Sequence, residues 1–245
     1  MTDIKFIDGP NRKIAYQFVE GDYDLPPIIF LCGFKSDMAG SKAEWLHDYC
    51  VTNNRTYLRF DYFAHGQSDG DFKNYTIGHG VMDSVFMTNE FIKRPAIVIG
   101  SSMGGWIAMR LIQMMPDLVH GFIGIAAAPD FTRKIYAQLD DGHLNQLQEK
   151  GYIEEDSGYD ESYIFTQALF DDGENQSVMD RPIEFDGVVH LIQGKKDTSV
   201  DWHVPDAINT VFDGRAEITL IDDGDHSLSR PQDLEILQHA IEKMH

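Results

Sequence analysis

Residues 96–117 read AIVIGSSMGGWIAMRLIQMMPD, and this stretch decides the fold. Ala96–Gly100 is a short, continuously apolar run rich in β-branched residues, the pattern of a strand covered on both faces. From Trp106 onward, Ile107, Met109, Arg110 and Ile112 to Met115 carry helical character until Pro116 stops it. Between strand and helix lies Gly100-Ser101-Ser102-Met103-Gly104, which fits G-x-S-x-G. A serine whose hydroxyl projects from a sharp strand-to-helix turn has a strained backbone, and the residues two before and two after it crowd together. Glycine at 100 and 104 removes the Cβ atoms that would clash there. Gly105 lets the helix lie close to the sheet. Ser101, one step earlier, turns its side chain away from the apex.

The pattern occurs twice. Gly66-Gln67-Ser68-Asp69-Gly70 matches it too, within TYLRFDYFAHGQSDGDFKNYT. Here the strand ends near Asp61, four residues intervene before Gly66, and polar, turn-rich sequence follows instead of a helix. A chain with 21 glycines meets this pattern by chance often enough that context must choose. Ser102 is the candidate nucleophile and Ser68 a loop residue.

Working outward, IKFI and KIAYQFVE flank the turn signal Asp8-Gly9-Pro10-Asn11, which predicts an opening hairpin. PIIFLCG, TYLRFD, GFIGIAAA, VVHLIQG and EITLID are further apolar runs of strand length. Helices are predicted over 76–93, 103–115 and 231–244, the last with Pro231 at its first position. Alternation of this kind predicts an α/β fold, a mostly parallel central sheet with helices on both faces. From Phe131 to about Phe185 the rhythm breaks into helical pieces, RKIYAQLDDGHLNQLQEK and ESYIFTQALFDD. The expected organisation is a core of residues 1–130 and 186–245, with a helical lid of residues 131–185 inserted between strands 6 and 7.

The 245 residues, 42% of them hydrophobic, suffice for one sizeable core. Forty acidic against 20 basic residues give a net charge of −20, which repels phosphate backbones and acidic headgroups. Neither nucleic acid nor membrane insertion is expected, since no run approaches the ~18 apolar residues that span a bilayer. Cys32 and Cys50 form no C-x-x-C and no zinc-like cluster, so neither a disulfide framework nor a metal is expected. The opening MTDIKFIDGPNRK holds no signal-peptide core. A soluble, cytoplasmic protein is the expectation; oligomeric state stays open.

A nucleophilic serine needs a base, itself oriented by a carboxylate. In the α/β-hydrolases, which the elbow at 100–104 resembles, these partners follow in the order serine, acid, histidine, at successive strand ends. His226 stands after the last strand and before the terminal helix. Asp223 and Asp225 are too near it in sequence to orient it easily. Asp197 follows the preceding strand, beside Lys195 and Lys196, which would favour its ionised form. The amide of Met103, and that of Phe34 after the permissive Gly33, are the candidate oxyanion donors. Cys32 has no base paired with it and reads as a small buried hydrophobe.

These residues carry a resemblance to the α/β-hydrolases. Within that family the chain is similar to a group of mitochondrial acyl-glucuronide esterases and protein depalmitoylases with bacterial relatives. The likeness runs through FLCGFKSDMAGSKA, LRFDYFAHGQSDGDF, GSSMGGW, LIQGKKDTSVDWH and GDHSLSRPQD. It implies Ser102 as nucleophile, Asp197 as acid and His226 as base, with the 66–70 loop shaping the pocket rim and doing no chemistry. It implies hydrolysis of a small carboxylic ester or thioester through an acyl-enzyme, without a cofactor. Carbon–carbon hydrolysis, acyl transfer to an alcohol, and a receptor that binds without turnover use the same layout. Cys32, where many relatives have His, and the lid are the departures. Tyr136, Tyr152, Tyr159, Tyr163, Phe165 and Phe170 give that lid an aromatic stock suited to an acyl or aryl group.

Overall fold

Each apolar run read as a strand forms one in the computed structural model, which describes residues 3–10, 12–155 and 163–244. The chain opens on β1 (Lys5–Asp8) and β2 (Lys13–Val19), paired antiparallel with Phe6 opposite Ala15. Asn11 of the expected turn lies outside the described residues. β3 (Ile28–Leu31), α1 (Ser41–Thr52), β4 (Tyr57–Phe60) and α2 (Ile77–Phe91) follow. Then come β5 (Ala96–Ser101), α3 (Met103–Met114) and β6 (Val119–Ile125). The insertion comprises α4 (Phe131–Ala137), α5 (Asp141–Lys150), β7 (Tyr152–Glu155), β8 (Tyr163–Thr166) and α6 (Gln167–Asn175). β9 (Val188–Gly194), α7 (Val204–Val211), β10 (Glu217–Ile221) and α8 (Pro231–Glu242) complete the chain.

The main sheet has eight strands in the order β1-β2-β4-β3-β5-β6-β9-β10. From β4 to β10 every neighbouring pair is parallel, and β2, antiparallel to both β1 and β4, is the one strand that runs against the rest of the described sheet. β3, β4 and β5 are buried at every position, which is why their sequences are apolar apart from Arg59 in β4 and Ser101 at the end of β5. The path steps from β3 back to β4 and then forward to β5. With right-handed crossovers, that reversal puts α1 on the opposite face from α2 and α3. β6 stops at Ile125, before the expected Ala126–Ala128, because Ala126 takes a positive φ of 46° and turns the chain out of the sheet. α3 is buried from Met103 to Met109, and the indole N–H of its Trp106 donates to the Gln176 carbonyl at 2.9 Å.

The segment between β6 and β9, the sixth and seventh strands of the main sheet, is not wholly helical as its sequence suggested. β7 and β8 form an antiparallel hairpin with Ile153 opposite Phe165, both buried. Ile153 is the one buried residue of β7, and in β8 only Tyr163 and Phe165 face inward, too few to show a period of two. The stretch expected to be helical from Glu161 instead switches at Thr166, whose hydroxyl accepts from the Leu169 amide and caps α6. Asp130, left-handed at φ 51°, gathers both ends of the insertion. Its carboxylate accepts from Ser177 Oγ at 2.6 Å and the Val178 amide at 3.0 Å, and Arg133 bridges Glu174 and Asp180 beside it.

Candidate active site

Ser102 sits between β5 and α3 at φ 53°, ψ −119°, a conformation a non-glycine residue holds only when its surroundings enforce it. The enforcement is steric. A Cβ at Gly100 would overlap the Gly104 carbonyl, and one at Gly104 would overlap the carbonyl of Leu31 in the neighbouring strand. The Ser102 amide is fixed to the Ile125 carbonyl at 2.9 Å, and its own carbonyl accepts from Ala128 at 3.0 Å. Ser101 ends β5, buried.

His226 and Asp197 reach Ser102 from the ends of β10 and β9. His226 Nε2 lies 3.1 Å from Ser102 Oγ, and Nδ1 lies 2.7 Å from Asp197 Oδ2. The two loops interlock through backbone: the Lys195 amide donates to Ile221 and the Lys196 amide to Gly224, at 2.9 and 2.8 Å. Asp225 caps its own turn by accepting from the Leu228 amide, and Asp223 pairs with Arg230 at 2.7 Å, so neither orients the histidine.

Burial alone would raise the Asp197 carboxyl. The hydrogen bond from His226, the Val200 and Ser199 amides and the imidazole's charge together outweigh it and hold the acid below the ordinary carboxylate range. The expected help from Lys195 and Lys196 is not the cause: Lys195 pairs with Asp222 at 2.7 Å. A hydroxyl bonded to an imidazole that a buried carboxylate orients can give up its proton as it attacks an electrophile.

Gly33 passes directly over the serine; a Cβ there would lie 3.3 Å from Ser102 Cβ. The loop that follows is pinned by two buried ions. Asp61 accepts from the Met38 amide at 2.7 Å and the Gln67 amide at 2.8 Å, and Arg59 donates to the Met38 carbonyl at 2.7 Å. Burial pushes the Asp61 carboxyl up despite its amide donors. The second G-x-S-x-G is thereby explained: Ser68 donates to the Asp61 carbonyl at 2.7 Å and accepts from Ala15 at 2.9 Å, stitching this loop to β2. Cys32 is buried and unpaired, and burial, with the charges of Asp61 and Asp37, pushes its thiol far up, so no thiolate competes with Ser102.

Beside the serine the Phe34 ring is the hub of an aromatic wall. It stacks on Phe165 at 5.4 Å and meets Phe72, Phe131 and Tyr163 edge-on at 5.0–5.8 Å. Tyr75 joins at 6.3 Å, and its hydroxyl donates to Met103 Sδ at 3.4 Å. Of the aromatic residues expected in the insertion, Tyr163 and Phe165 line this wall and Phe170 backs Phe165 at 6.3 Å. Tyr136 is partly exposed, Tyr152 lies under the Lys73 ammonium, and Tyr159 falls outside the described residues. Phe72, Tyr75 and the buried His65, held neutral by burial at a pKa of about 4, were not foreseen; they come from a polar, turn-rich stretch.

The alpha/beta hydrolase family model matches residues 28–235, the strands and loops that carry this arrangement. The chain belongs to the alpha/beta hydrolase family. This alpha/beta hydrolase is similar to a palmitoyl-protein thioesterase, ABHD10, mitochondrial, of Bos taurus: 28% identical, over 99% of this chain and 80% of that protein. A crystal structure from Agrobacterium vitis S4, of a protein described as a hydrolase, superposes with a TM-score of 0.93 at 36% identity, covering 99% of this chain and 98% of that one. Alpha/beta hydrolase domain-containing protein 10 from mouse gives 0.90 at 26%, with the same coverage. Among the described residues no helix is long and apolar enough to cross a membrane. The ABHD10 relatives are named as mitochondrial, which does not support the cytoplasmic expectation.

Proposed function

We propose that this alpha/beta hydrolase cleaves a carboxylic ester or thioester in two steps through an acyl-enzyme. The observation that carries this is the Ser102–His226–Asp197 chain at 3.1 and 2.7 Å, assembled on a strained serine. His226 Nε2 takes the hydroxyl proton as Ser102 Oγ attacks the carbonyl carbon. The amide of Met103, at the start of α3 with no partner inside its helix, and the amide of Phe34 receive the developing oxyanion. The imidazolium then hands its proton to the leaving oxygen or sulfur as that bond breaks. A water that loses its proton to His226 frees the acyl group and restores Ser102. Asp197 remains ionised throughout and keeps the Nδ1 proton on the imidazole.

The aromatic wall around Phe34 receives the acyl or aryl group, and the insertion of residues 131–185 covers it as a lid on the 1–130 and 186–245 core. The thioesterase names of the relatives support a thioester among the substrates. Two buried free thiols suit a reducing compartment, and a cytoplasmic location belongs to this reading. Labelling with a fluorophosphonate tests the proposal. Wild type should label and turn over short p-nitrophenyl esters, and Ser102→Ala should do neither. Equal labelling of the two would sink the assignment.

A further inference from the structure

We infer that Gln193 is a positioning residue, a buried donor that aims the Asp197 carboxylate at His226; this rests on the catalytic reading above. Gln193 is fully buried in β9, between apolar neighbours, where a side chain such as Met would pack without polar demands. Its Nε2 donates to Asp197 Oδ2 at 2.9 Å, the same oxygen that accepts from His226 Nδ1 at 2.7 Å. It also reaches the carbonyls of Gly194 and Val200 at 3.2 and 3.5 Å.

Its other end is unsatisfied. Gln193 Oε1 is buried with no hydrogen-bond partner among the described residues. A buried acceptor left unpaired is unfavourable and rare in folded proteins. Rotating the amide by half a turn gives no relief, because Oε1 would then face a carboxylate and two carbonyls, acceptors all. Asp197 therefore dictates the orientation, and the orphan oxygen is what that demand leaves behind.

Asp197 in turn is saturated. Oδ1 accepts from the Ser199 and Val200 amides at 2.8 and 2.9 Å, and Oδ2 from Gln193 and His226. Every donor favours the carboxylate over the neutral acid. The Gln193 bond weakens Oδ2 as a proton acceptor, so the Nδ1 proton stays on the imidazole and Nε2 stays free to take the serine proton. Gln193 touches no reacting atom; it acts through Asp197.

Gln193→Met and Gln193→Glu, made in the whole chain, test this by kcat and KM on p-nitrophenyl acetate across pH, with thermal unfolding alongside. Gln193→Met should melt near or slightly below the wild-type temperature, since it removes the orphan oxygen but also the donor to Asp197 and the Gly194 and Val200 carbonyls. Its kcat should fall roughly tenfold to a hundredfold, with KM within about twofold. Gln193→Glu sets two carboxylates together; one must hold a proton to donate, so its rate relative to wild type should recover as pH is lowered from about 8 to about 5. A wild-type kcat in Gln193→Met, or a loss that only follows the unfolded fraction, overturns the inference. Should Gln193→Met fail to fold, Gln193→Glu decides, and a flat rate ratio across that range overturns it. Full activity in Ser102→Ala would instead bring down the catalytic reading and be told apart at once.

Discussion

The Lys42 ammonium, on α1, donates to the carbonyl oxygen of Ser227 at 2.5 Å, joining residues 185 apart in sequence and holding the chain just after His226. Desolvation lowers the lysine pKa, while Asp225 and Asp233 pull it the other way. Lys42→Met removes this tie and leaves α1 intact. We expect kcat to drop about tenfold and stability by about 1–2 kcal/mol, a charge-assisted bond's usual share. Steady-state kinetics and a thermal melt would show it; unchanged kcat would mean the loop holds itself.

The two G-x-S-x-G serines should part company on substitution. Ser102→Ala should cost at least about 10⁴-fold in kcat and little stability, as nucleophile removal does. Ser68→Ala breaks two buried hydrogen bonds and should lose about 1–3 kcal/mol with catalysis largely kept. The reverse outcome in paired kinetic and denaturation measurements would exchange their roles.

Asp197 gives a signed pH dependence. Its folded-state pKa lies below the unfolded one, so its pairing stabilises the fold above the ordinary carboxylate range and is lost as pH falls through the folded value. The stability gap between wild type and Asp197→Asn should be open at neutral pH and narrow below about pH 4. At neutral pH the variant should lose roughly 10⁴-fold in kcat, because Asn favours the wrong imidazole tautomer. Denaturant melts at several pH values check the first part; a gap that widens on acidification would refute it.

Phe34→Ala keeps the backbone amide and removes the hub of the aromatic wall. The change should destabilise by about 2–3 kcal/mol for a half-buried ring and move the preferred acyl chain to longer p-nitrophenyl esters. An unchanged chain-length profile would place the acyl group elsewhere.

Asp130→Gly retains left-handed freedom but drops the bonds to Ser177 and Val178. A loss of about 1–3 kcal/mol and new proteolytic cuts within residues 131–185 are expected. Resistance equal to wild type would show the insertion is held by its apolar contacts alone.

The sheet was legible because strands buried on both faces carry continuous β-branched runs, and Ser102 because two glycines are needed where backbone crosses backbone. His226 and Asp197 followed from their places after strands. The hairpin β7–β8 was not legible: with Ile153 alone buried in β7 and Tyr163 and Phe165 facing inward in β8, its strands are too short for a period to be read. Phe72, Tyr75 and His65 escaped notice because their turn-rich loop gives no sign of the face it turns inward. Lys195 and Lys196 misled, since adjacency in sequence is no guide to where an ammonium ends up; amides and an imidazole, placed by the fold, set the Asp197 charge.

Asp130 grips both the departure and the return of the inserted segment, and Trp106, Arg110 and Gly78 tie its last helix to the layer beneath through Gln176 and Asp172. The segment's hairpin lies on the Phe34 wall, while residues 102, 197 and 226 are anchored at the ends of β5, β9 and β10. A substitution in that hairpin can therefore reshape the wall without moving the strand ends that bring these three side chains together.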